Sequence, residues 1–173
     1  MNQPPETKAI ARIDPRVFRE TLGHYPSGIT VIAGHDGDRP IGFTCQSFYS
    51  VSMEPPLVSF SVMRTSTSYP PIRATGRFAV NVLAGDQTAI SNQFARSGTD
   101  KWNAVEWRPS RSGNPILRGS LMWLDCAVHA EYEAGDHFIV VGRVLDTSDH
   151  AAADDLPLLY YRGCYRQLGE PVV

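Results

Sequence analysis

An uncharged segment rich in hydroxyl groups runs through residues 42–52, Gly-Phe-Thr-Cys-Gln-Ser-Phe-Tyr-Ser-Val-Ser. No charged side chain occurs between Arg39 and Glu54, and five of the nine residues from Thr44 to Ser52 carry a hydroxyl group. The apolar side chains of such a segment can hold the faces of a flat ring, while its hydroxyls and backbone amides bond the ring heteroatoms. The composition therefore predicts the lining of a pocket for a neutral ring system with a polar edge.

A second group of polar residues has the composition of an anion site. Residues 65–67, Thr-Ser-Thr, follow Arg64 at the end of a predicted strand and open a predicted helix, whose first backbone amides are free to bind an anion. Arg96 and Lys101 add positive charge just beyond another predicted helix. A plain helix cap with an exposed arginine explains the first set, and a solvated helix end explains the second equally well.

A histidine lies in the tripeptide Gly135-Asp136-His137, where a predicted hairpin turn becomes a buried strand. At the mouth of a barrel this side chain can donate to a substrate amide or phosphate, or relay a proton. The alternative is a histidine at the edge of a turn that bonds to backbone. The sequence has no nucleophile elbow, phosphate-binding glycine loop, metal-binding helix or paired-cysteine motif, so neither a serine hydrolase nor a metal centre is expected.

The bulk composition indicates one soluble globular domain. The 173 residues are 42% hydrophobic and 20% charged, which fits a single core. A net charge of −2 gives no general attraction to nucleic acid or anionic membrane, so neither is expected as a partner. The three cysteines are scattered and the first residues lack an apolar signal core, which together indicate a reduced, cytoplasmic setting.

Capping and turn residues predict three short helices. Asp14 can cap a helix that ends before Gly23. Residues 65–71 combine hydroxyl groups with two prolines, which is turn and capping chemistry for a second short helix. A third helix is predicted over residues 86–96, with Asp86 as its cap.

Alternation of apolar and polar residues predicts the strands. The clearest case covers residues 122–132, where the polar face includes Asp125 and His129. A turn at residues 134–136 joins this strand to a second long one at residues 137–145. The remaining strands are predicted at residues 29–34, 39–44, 57–63, 78–83 and 158–161.

These elements predict a mainly β fold with short peripheral helices, a closed or nearly closed antiparallel barrel of six or seven strands. A doubly wound parallel sheet is excluded because it needs helices of about 10–15 residues between its strands and a glycine-rich phosphate turn. Residues 1–13 are polar and contain two adjacent prolines, which predicts a flexible N-terminal arm before a single domain at residues 14–173. The long loop at residues 98–120 is expected to have a function or to cover part of the domain.

Six short segments follow one another along the chain in a recognisable order and spacing. They are residues 25–31, 42–52, 54–58, 78–83, 94–95 and 135–137. In this order and spacing they resemble the flavin reductase-like, FMN-binding split-barrel family, over residues 16–168. The resemblance implies a homodimer of Greek-key split barrels, with flavin in a groove at or near the subunit interface. It also implies NAD(P)H-dependent reduction of FMN or FAD, and delivery of the reduced flavin to a separate monooxygenase that hydroxylates an aromatic or similar organic substrate.

The resemblance further implies roles for individual residues. His137 matches the family histidine near the nicotinamide and is the catalytic residue that the family suggests. Family members often have Ala or Asn where this chain has Cys45 and Gln46. By family position the flavin ring is bordered by Thr44, Cys45, Gln46 and Ser47, and the ribityl chain by Ser50, Val51 and Ser52. The phosphate end is served by Ser61, Arg64, Thr65, Ser66 and Thr67, with Phe94, Ala95, Arg96 and Lys101 as a further wall and Ser27 and Gly28 close by.

In the reaction that the resemblance implies, a hydride passes from nicotinamide to flavin, and the protein must stack and orient the two rings. Two other functions stay open at this point: a flavin-binding electron carrier or ligand sensor, and an oxidase of the pyridoxamine-phosphate type. The tripeptide at residues 135–137 and the neutral hydroxyl segment favour the reductase over the oxidase, which would need more cationic residues for a phosphorylated substrate.

Overall fold

The computed structural model describes residues 12–149 and 156–169. The predicted N-terminal arm falls mainly on residues 1–11, which lie outside the described residues. Three short helices are present: α1 (Pro15–Leu22), α2 (Tyr69–Thr75) and α3 (Thr88–Ala95). None of the described helices is long and apolar enough to cross a membrane.

The described residues form twelve strands. They are β1 (Ser27–Gly28), β2 (Thr30–His35), β3 (Pro40–Cys45), β4 (Tyr49–Met53), β5 (Pro56–Met63), β6 (Arg77–Val82), β7 (Trp107–Pro109), β8 (Pro115–Leu117), β9 (Met122–Ala134), β10 (His137–Thr147), β11 (Leu159–Tyr161) and β12 (Cys164–Arg166). Every predicted strand is found, and β7 and β8 are the fragments within the long loop.

The main sheet has seven strands in the order β3-β2-β6-β9-β10-β5-β4. All of its neighbouring strands are antiparallel, which confirms the predicted antiparallel β fold. The two edge strands, β3 and β4, are joined by the connection at residues 46–48, so the sheet curls until its edges approach each other. A small sheet of β1, β11 and β12 and the β7–β8 hairpin complete the fold.

The interior of the curled sheet is filled by aromatic and β-branched side chains around Phe60, which is fully buried. The Phe60 ring meets the edge of Phe78 at 5.2 Å between centroids and that of Tyr69 at 6.2 Å. Burial of a large apolar side chain contributes about 2 kcal/mol. Gly142 is required by this packing, because a Cβ atom there would lie 2.4 Å from Cζ of Phe78.

A second apolar cluster joins α3 to the sheet and so fixes one wall of the site described below. Phe94 of α3 is fully buried and meets Trp102 edge to face at 4.9 Å. At Gly42 on β3, a Cβ atom would lie 3.0 Å from Cε1 of Phe94, so the helix approaches the strand more closely than a larger residue would allow. This close approach brings β3, α3 and the segment after α3 together.

Two local predictions are wrong. Asp86 does not cap α3: Gln87 is at the N-cap, and its side chain instead accepts from the Ala84 N–H and donates to the Arg118 carbonyl. Asp125 was expected on the polar face of β9 but is fully buried. Its carboxylate accepts from Asn114 Nδ2 at 2.7 Å and from the Ser112 N–H at 3.1 Å, so the long loop covers this part of the strand.

Candidate functional site

A groove of about 520 Å³ opens where the end of β3 meets the end of β5, beside α3. No acidic side chain is among the described residues that line it, and hydroxyl groups predominate. The lining residues are Phe43, Thr44, Cys45, Gln46, Ser47, Ser61, Val62, Met63, Thr65, Ser66, Thr67, Ser68, Phe94, Ala95, Ser97, Lys101 and His137.

The wall at residues 44–47 is held by hydrogen bonds within the protein. The Thr44 hydroxyl donates to the carbonyl of Ser91 on α3 at 2.6 Å. The Ser47 hydroxyl accepts from the Ser61 N–H at 2.8 Å and donates to the Ser61 carbonyl at 3.1 Å. These bonds tie the β3–β4 connection to α3 and to β5, so both hydroxyls help to close the sheet.

Cys45 and Gln46 lie between these two hydroxyls and differ in exposure. Cys45 is buried, with its Sγ 3.3 Å from the Ser47 hydroxyl, and burial raises the pKa of this thiol. A raised pKa favours the protonated thiol, which is a poor nucleophile. Gln46 is exposed and presents its amide at the groove.

The opposite wall is the turn at residues 64–68, between β5 and α2. Helix α2 begins at Tyr69, after the Thr-Ser-Thr residues, so these residues form a turn before the helix. The Ser66 hydroxyl accepts from the Tyr69 N–H at 3.2 Å. The hydroxyls of Thr65 and Thr67 have no hydrogen-bond partner among the described residues and are exposed. They are therefore available to a ligand.

Helix α2 is anchored to β9, and this anchor holds the turn in place. The Tyr69 hydroxyl donates to Glu131, and Arg73 forms an ion pair with the same carboxylate at 2.7 Å. Burial, with the Glu131 carboxylate as a further cause, raises the pKa of Tyr69, so the phenol remains a hydrogen-bond donor.

Lys101 supplies the positive charge of the groove. Its Nζ donates to the Gly42 carbonyl at 3.2 Å and to the Ser68 hydroxyl at 3.4 Å. No carboxylate of residues 12–149 or 156–169 forms an ion pair with it. Partial burial lowers the pKa of this ammonium group. A half-buried cation that lacks an acidic partner favours an anionic ligand.

His137 begins β10 directly opposite Met63 at the end of β5. Its ring is partly exposed, and Nδ1 lies 2.7 Å from Asp136 Oδ1. The hydrogen bond from His137 lowers the pKa of Asp136, which keeps the carboxylate charged. An Nδ1–H that donates to Asp136 leaves Nε2 free for a ligand.

Seven residues with a role implied by family position do not line the groove of this chain. Ser27 and Gly28 form β1, which pairs with β11, and Arg96 is exposed at the end of α3. Arg64 directs its guanidinium to Glu133 at 3.3 Å and over the Phe138 ring. The other three are Ser50, Val51 and Ser52 on the edge strand β4.

Five lining residues have no individual role assigned by family position: Phe43, Val62, Met63, Ser68 and Ser97. Ser68 continues the hydroxyl run of residues 65–67, and Met63 closes the predicted strand before Arg64, so position along the chain was the available signal. Met63 is 52% exposed, so its side chain is accessible for contact with the face of a ring.

Comparisons with known proteins bear on the same region of the chain. A family model described as flavin reductase like domain matches residues 22–169. The reductase subunit HsaB of a flavin-dependent monooxygenase from Mycobacterium tuberculosis is 48% identical over 155 residues, which cover 90% of this chain and 83% of HsaB.

Two solved structures extend the comparison. Nitrilotriacetate monooxygenase component B from Mycobacterium thermoresistibile has a TM-score of 0.86 and 41% identity, over 91% of this chain and 90% of its own. The NADH:FAD oxidoreductase SgcE6 of Streptomyces globisporus, solved in complex with NAD and FAD fragments, has a TM-score of 0.84 and 33% identity, over 91% of this chain and 96% of its own.

These matches confirm three predictions made from the sequence: the split-barrel fold, the enzyme class of an NAD(P)H-dependent flavin reductase, and a role in supplying a separate monooxygenase. They also decide against the electron carrier and the pyridoxamine-phosphate-type oxidase. The chain belongs to the flavin reductase-like domain family.

Proposed function

We propose that the FMN portion common to FMN and FAD binds in the groove, with its ring beside residues 44–47 and its phosphate beside residues 65–67 and Lys101. The observation that carries this placement is the position of Lys101, a half-buried cation next to the exposed hydroxyls of Thr65 and Thr67. The absence of acidic side chains from the described lining suits both a neutral ring and an anionic phosphate.

Lys101 has a donor to spare for a phosphate oxygen. Its ammonium carries three N–H groups, of which the Gly42 carbonyl and the Ser68 hydroxyl accept two. Charge-assisted hydrogen bonds of this kind are roughly twice as strong as neutral ones. A bound phosphate also favours the charged form of the lysine, which offsets the effect of burial on its pKa.

At the ring end, the wall offers apolar surface and an amide more than free hydroxyls. The hydroxyls of Thr44 and Ser47 already donate to backbone carbonyls. Phe43 and Met63 provide apolar surface for the ring faces, and the exposed Gln46 amide can both donate and accept at the ring edge. This combination fits a flat ring with a polar edge.

His137 is assigned to the nicotinamide. Asp136 orients the imidazole through Nδ1, so that Nε2 can bond the nicotinamide amide or phosphate. When bound, the flavin accepts the hydride that the reduced nicotinamide supplies. The contribution of these residues is to hold the two rings in contact and in register, which removes most of the entropic cost of the encounter.

The exposed apolar residues support the implied homodimer. On α1, Val17, Phe18 and Leu22 are each more than half exposed, and no residue of this helix is buried. On the edge strand β4, Tyr49, Val51 and Met53 are exposed by about half or more of their surface. A second copy that covers β4 would bury these side chains and the free strand edge, and would bring Ser50 and Ser52 into the subunit interface.

Sedimentation of the wild type and of Val51→Asp tests the proposed homodimer. The wild type should be a dimer and the variant a monomer, whereas a monomeric wild type would contradict the proposal.

Two further proposals concern the location of the protein in the cell and its division into domains. All three cysteines are unpaired thiols, which supports a cytoplasmic location. The family model spans one continuous stretch, which supports a single domain at residues 14–173.

A steady-state assay tests the proposed function. Oxidation of NADH and NADPH is followed under air with FMN or FAD added, and flavin affinity is measured separately by calorimetry. His137→Ala should raise the KM for the nicotinamide nucleotide about tenfold and change the flavin Kd by less than about twofold. His129→Ala is a matched control, since His129 is exposed on the polar face of β9 and does not line the groove. If His137→Ala raised the KM for the nicotinamide nucleotide and the Kd for flavin by equal factors, the assignment of His137 to the nicotinamide would be contradicted.

A further inference from the structure

A second cavity of about 590 Å³ adjoins the phosphate end of the groove. The two spaces share the side chains of Thr67, Ser68 and Lys101, which form the wall between them. The other residues around the second cavity are Arg39, Pro40, Ile41, Gly42, Gly98, Thr99, Asp100 and Trp102. A ligand that ends at Lys101 fills the groove alone, and a longer one continues past the lysine.

Lys101 is placed to serve phosphates on both sides of this wall. Its Nζ is held from the β3 side by the Gly42 carbonyl and from the turn by the Ser68 hydroxyl, and Gly42 and Ser68 both line the second cavity. A single ammonium group at the junction of the two spaces suits a diphosphate that lies at the junction itself, with the rest of a longer ligand continuing into the second cavity.

The second cavity has the chemistry of a nucleoside site. Asp100 Oδ1 accepts from the Trp102 N–H at 3.1 Å, which leaves Oδ2 free to accept from a ribose hydroxyl. The Thr99 hydroxyl has no hydrogen-bond partner among the described residues and is exposed. Arg39 carries a guanidinium at the rim, 81% exposed and paired through Nε with Asp36. The mixed charges oppose a cluster of phosphates but admit a neutral sugar and base.

We propose that the second cavity binds the adenosine of FAD, with the pyrophosphate beside Lys101, and that this chain therefore prefers FAD to FMN. The proposal rests on the proposed function, which places the flavin phosphate at residues 65–67. The adenosine of NADH is the other candidate with the same chemistry. The flavin is favoured because Thr67 belongs to both spaces, whereas His137, assigned to the nicotinamide, lines only the groove.

Calorimetric titration of the full chain with FMN and with FAD tests the proposal. The wild type should bind FAD about tenfold or more tightly than FMN. Thr99→Trp places an indole in the second cavity without altering the lining of the groove. It should weaken FAD binding about tenfold and leave the FMN Kd within about twofold, so that the preference disappears. Thermal unfolding of the variant checks that it folds.

Arg39→Ala provides a second, milder variant with a matched control. Arg39 and Arg118 are both exposed arginines paired with a carboxylate, at 81% and 80% exposure, but only Arg39 lines the second cavity. Arg39→Ala should weaken FAD about threefold and leave FMN unchanged, while Arg118→Ala should affect neither flavin.

The outcomes of these titrations distinguish the adenosine site in the second cavity from the flavin site in the groove. A wild type that binds FMN and FAD equally, or a Thr99→Trp variant that weakens both flavins alike or neither, overturns the adenosine site while the groove assignment stands. A Thr99→Trp variant that raises only the KM for NADH assigns the second cavity to the nicotinamide nucleotide and also overturns the proposal. Failure of the wild type to bind either flavin would instead contradict the proposed function.

Discussion

At residues 44–47 the hydroxyls of Thr44 and Ser47 donate to backbone carbonyls, whereas across the groove the hydroxyls of Thr65 and Thr67 have no partner among the described residues. Both walls have similar compositions, and the sequence interpretation treated both as ligand-binding. Their hydrogen bonds indicate different roles. The wall at residues 44–47 helps to close the barrel, whereas the hydroxyls at residues 65 and 67, together with Lys101, are available to a ligand. Composition shows that a pocket lining exists, but hydrogen bonding shows which of its groups are free.

The largest effect should come from Lys101→Met, which removes the charge beside the turn. Loss of a charge-assisted hydrogen bond to phosphate costs about 2 kcal/mol, so the flavin Kd should rise about thirtyfold. The free energy of unfolding should change little, because the two hydrogen bonds lost to Gly42 and Ser68 are offset by removal of a half-buried charge that has no ion pair among the described residues. Calorimetry and thermal unfolding measure the two quantities, with Arg118→Met as the control. A flavin Kd that changes by less than about twofold would contradict the proposal that Lys101 binds the flavin phosphate.

Ser47→Ala is expected to lower the stability of the protein and to leave flavin affinity nearly unchanged, the opposite of Lys101→Met. It deletes the two hydrogen bonds that join residue 47 to Ser61, and the free energy of unfolding should fall by about 1.5 kcal/mol. Flavin affinity should change less than about twofold, because this hydroxyl already serves the wall. Urea denaturation and calorimetry check the pair of values. Weakened flavin binding without a loss of stability would break the contrast between the two walls.

Thr67→Val probes the other wall with a residue of nearly the same shape. The missing hydroxyl should cost about 1 kcal/mol of flavin binding, a fivefold rise in Kd, and leave stability unchanged. The same two measurements apply, so Ser47→Ala and Thr67→Val form a matched pair. A stability loss in Thr67→Val that equals the loss in Ser47→Ala would show that the turn is also structural.

The smallest effect concerns pH. Burial lowers the pKa of Lys101 in the folded protein below the ordinary value of 10.5, so the unfolded chain holds this proton to higher pH. As pH rises toward 10.5, Lys101 should therefore make the flavin-free protein more stable, while flavin affinity falls by at least about twofold, because more than half of the charge is lost above the lowered pKa. Binding and unfolding measured across this range should show opposite trends, and both should be absent in Lys101→Met. Parallel trends would contradict the assigned pKa direction.

Much of the fold could be predicted from local pattern. The alternation that begins at Met122 and the turn before His137 predicted the two longest strands, which the structure has as β9 and β10. Strand β4 was missed although Tyr49, Val51 and Met53 alternate with Ser50 and Ser52, because this short segment was interpreted as part of the uncharged pocket lining. In the structure a bulge interrupts its pairing with β5 between Ser50 and Ser52. The burial of Asp125 was missed because its partners, Ser112 and Asn114, lie on a loop that the strand pattern does not show.

The sequence by itself determined the antiparallel β class, the family and the general class of reaction, because each depends on periodicity, turn residues or the order of short motifs along the chain. Only the tertiary structure decided which hydroxyls are free. Thr44 bonds to Ser91, Ser47 to Ser61 and Lys101 to Gly42, and these pairs are 47, 14 and 59 residues apart. Contacts between such distant residues exist only after the sheet has curled and α3 has docked, so no local pattern could assign them.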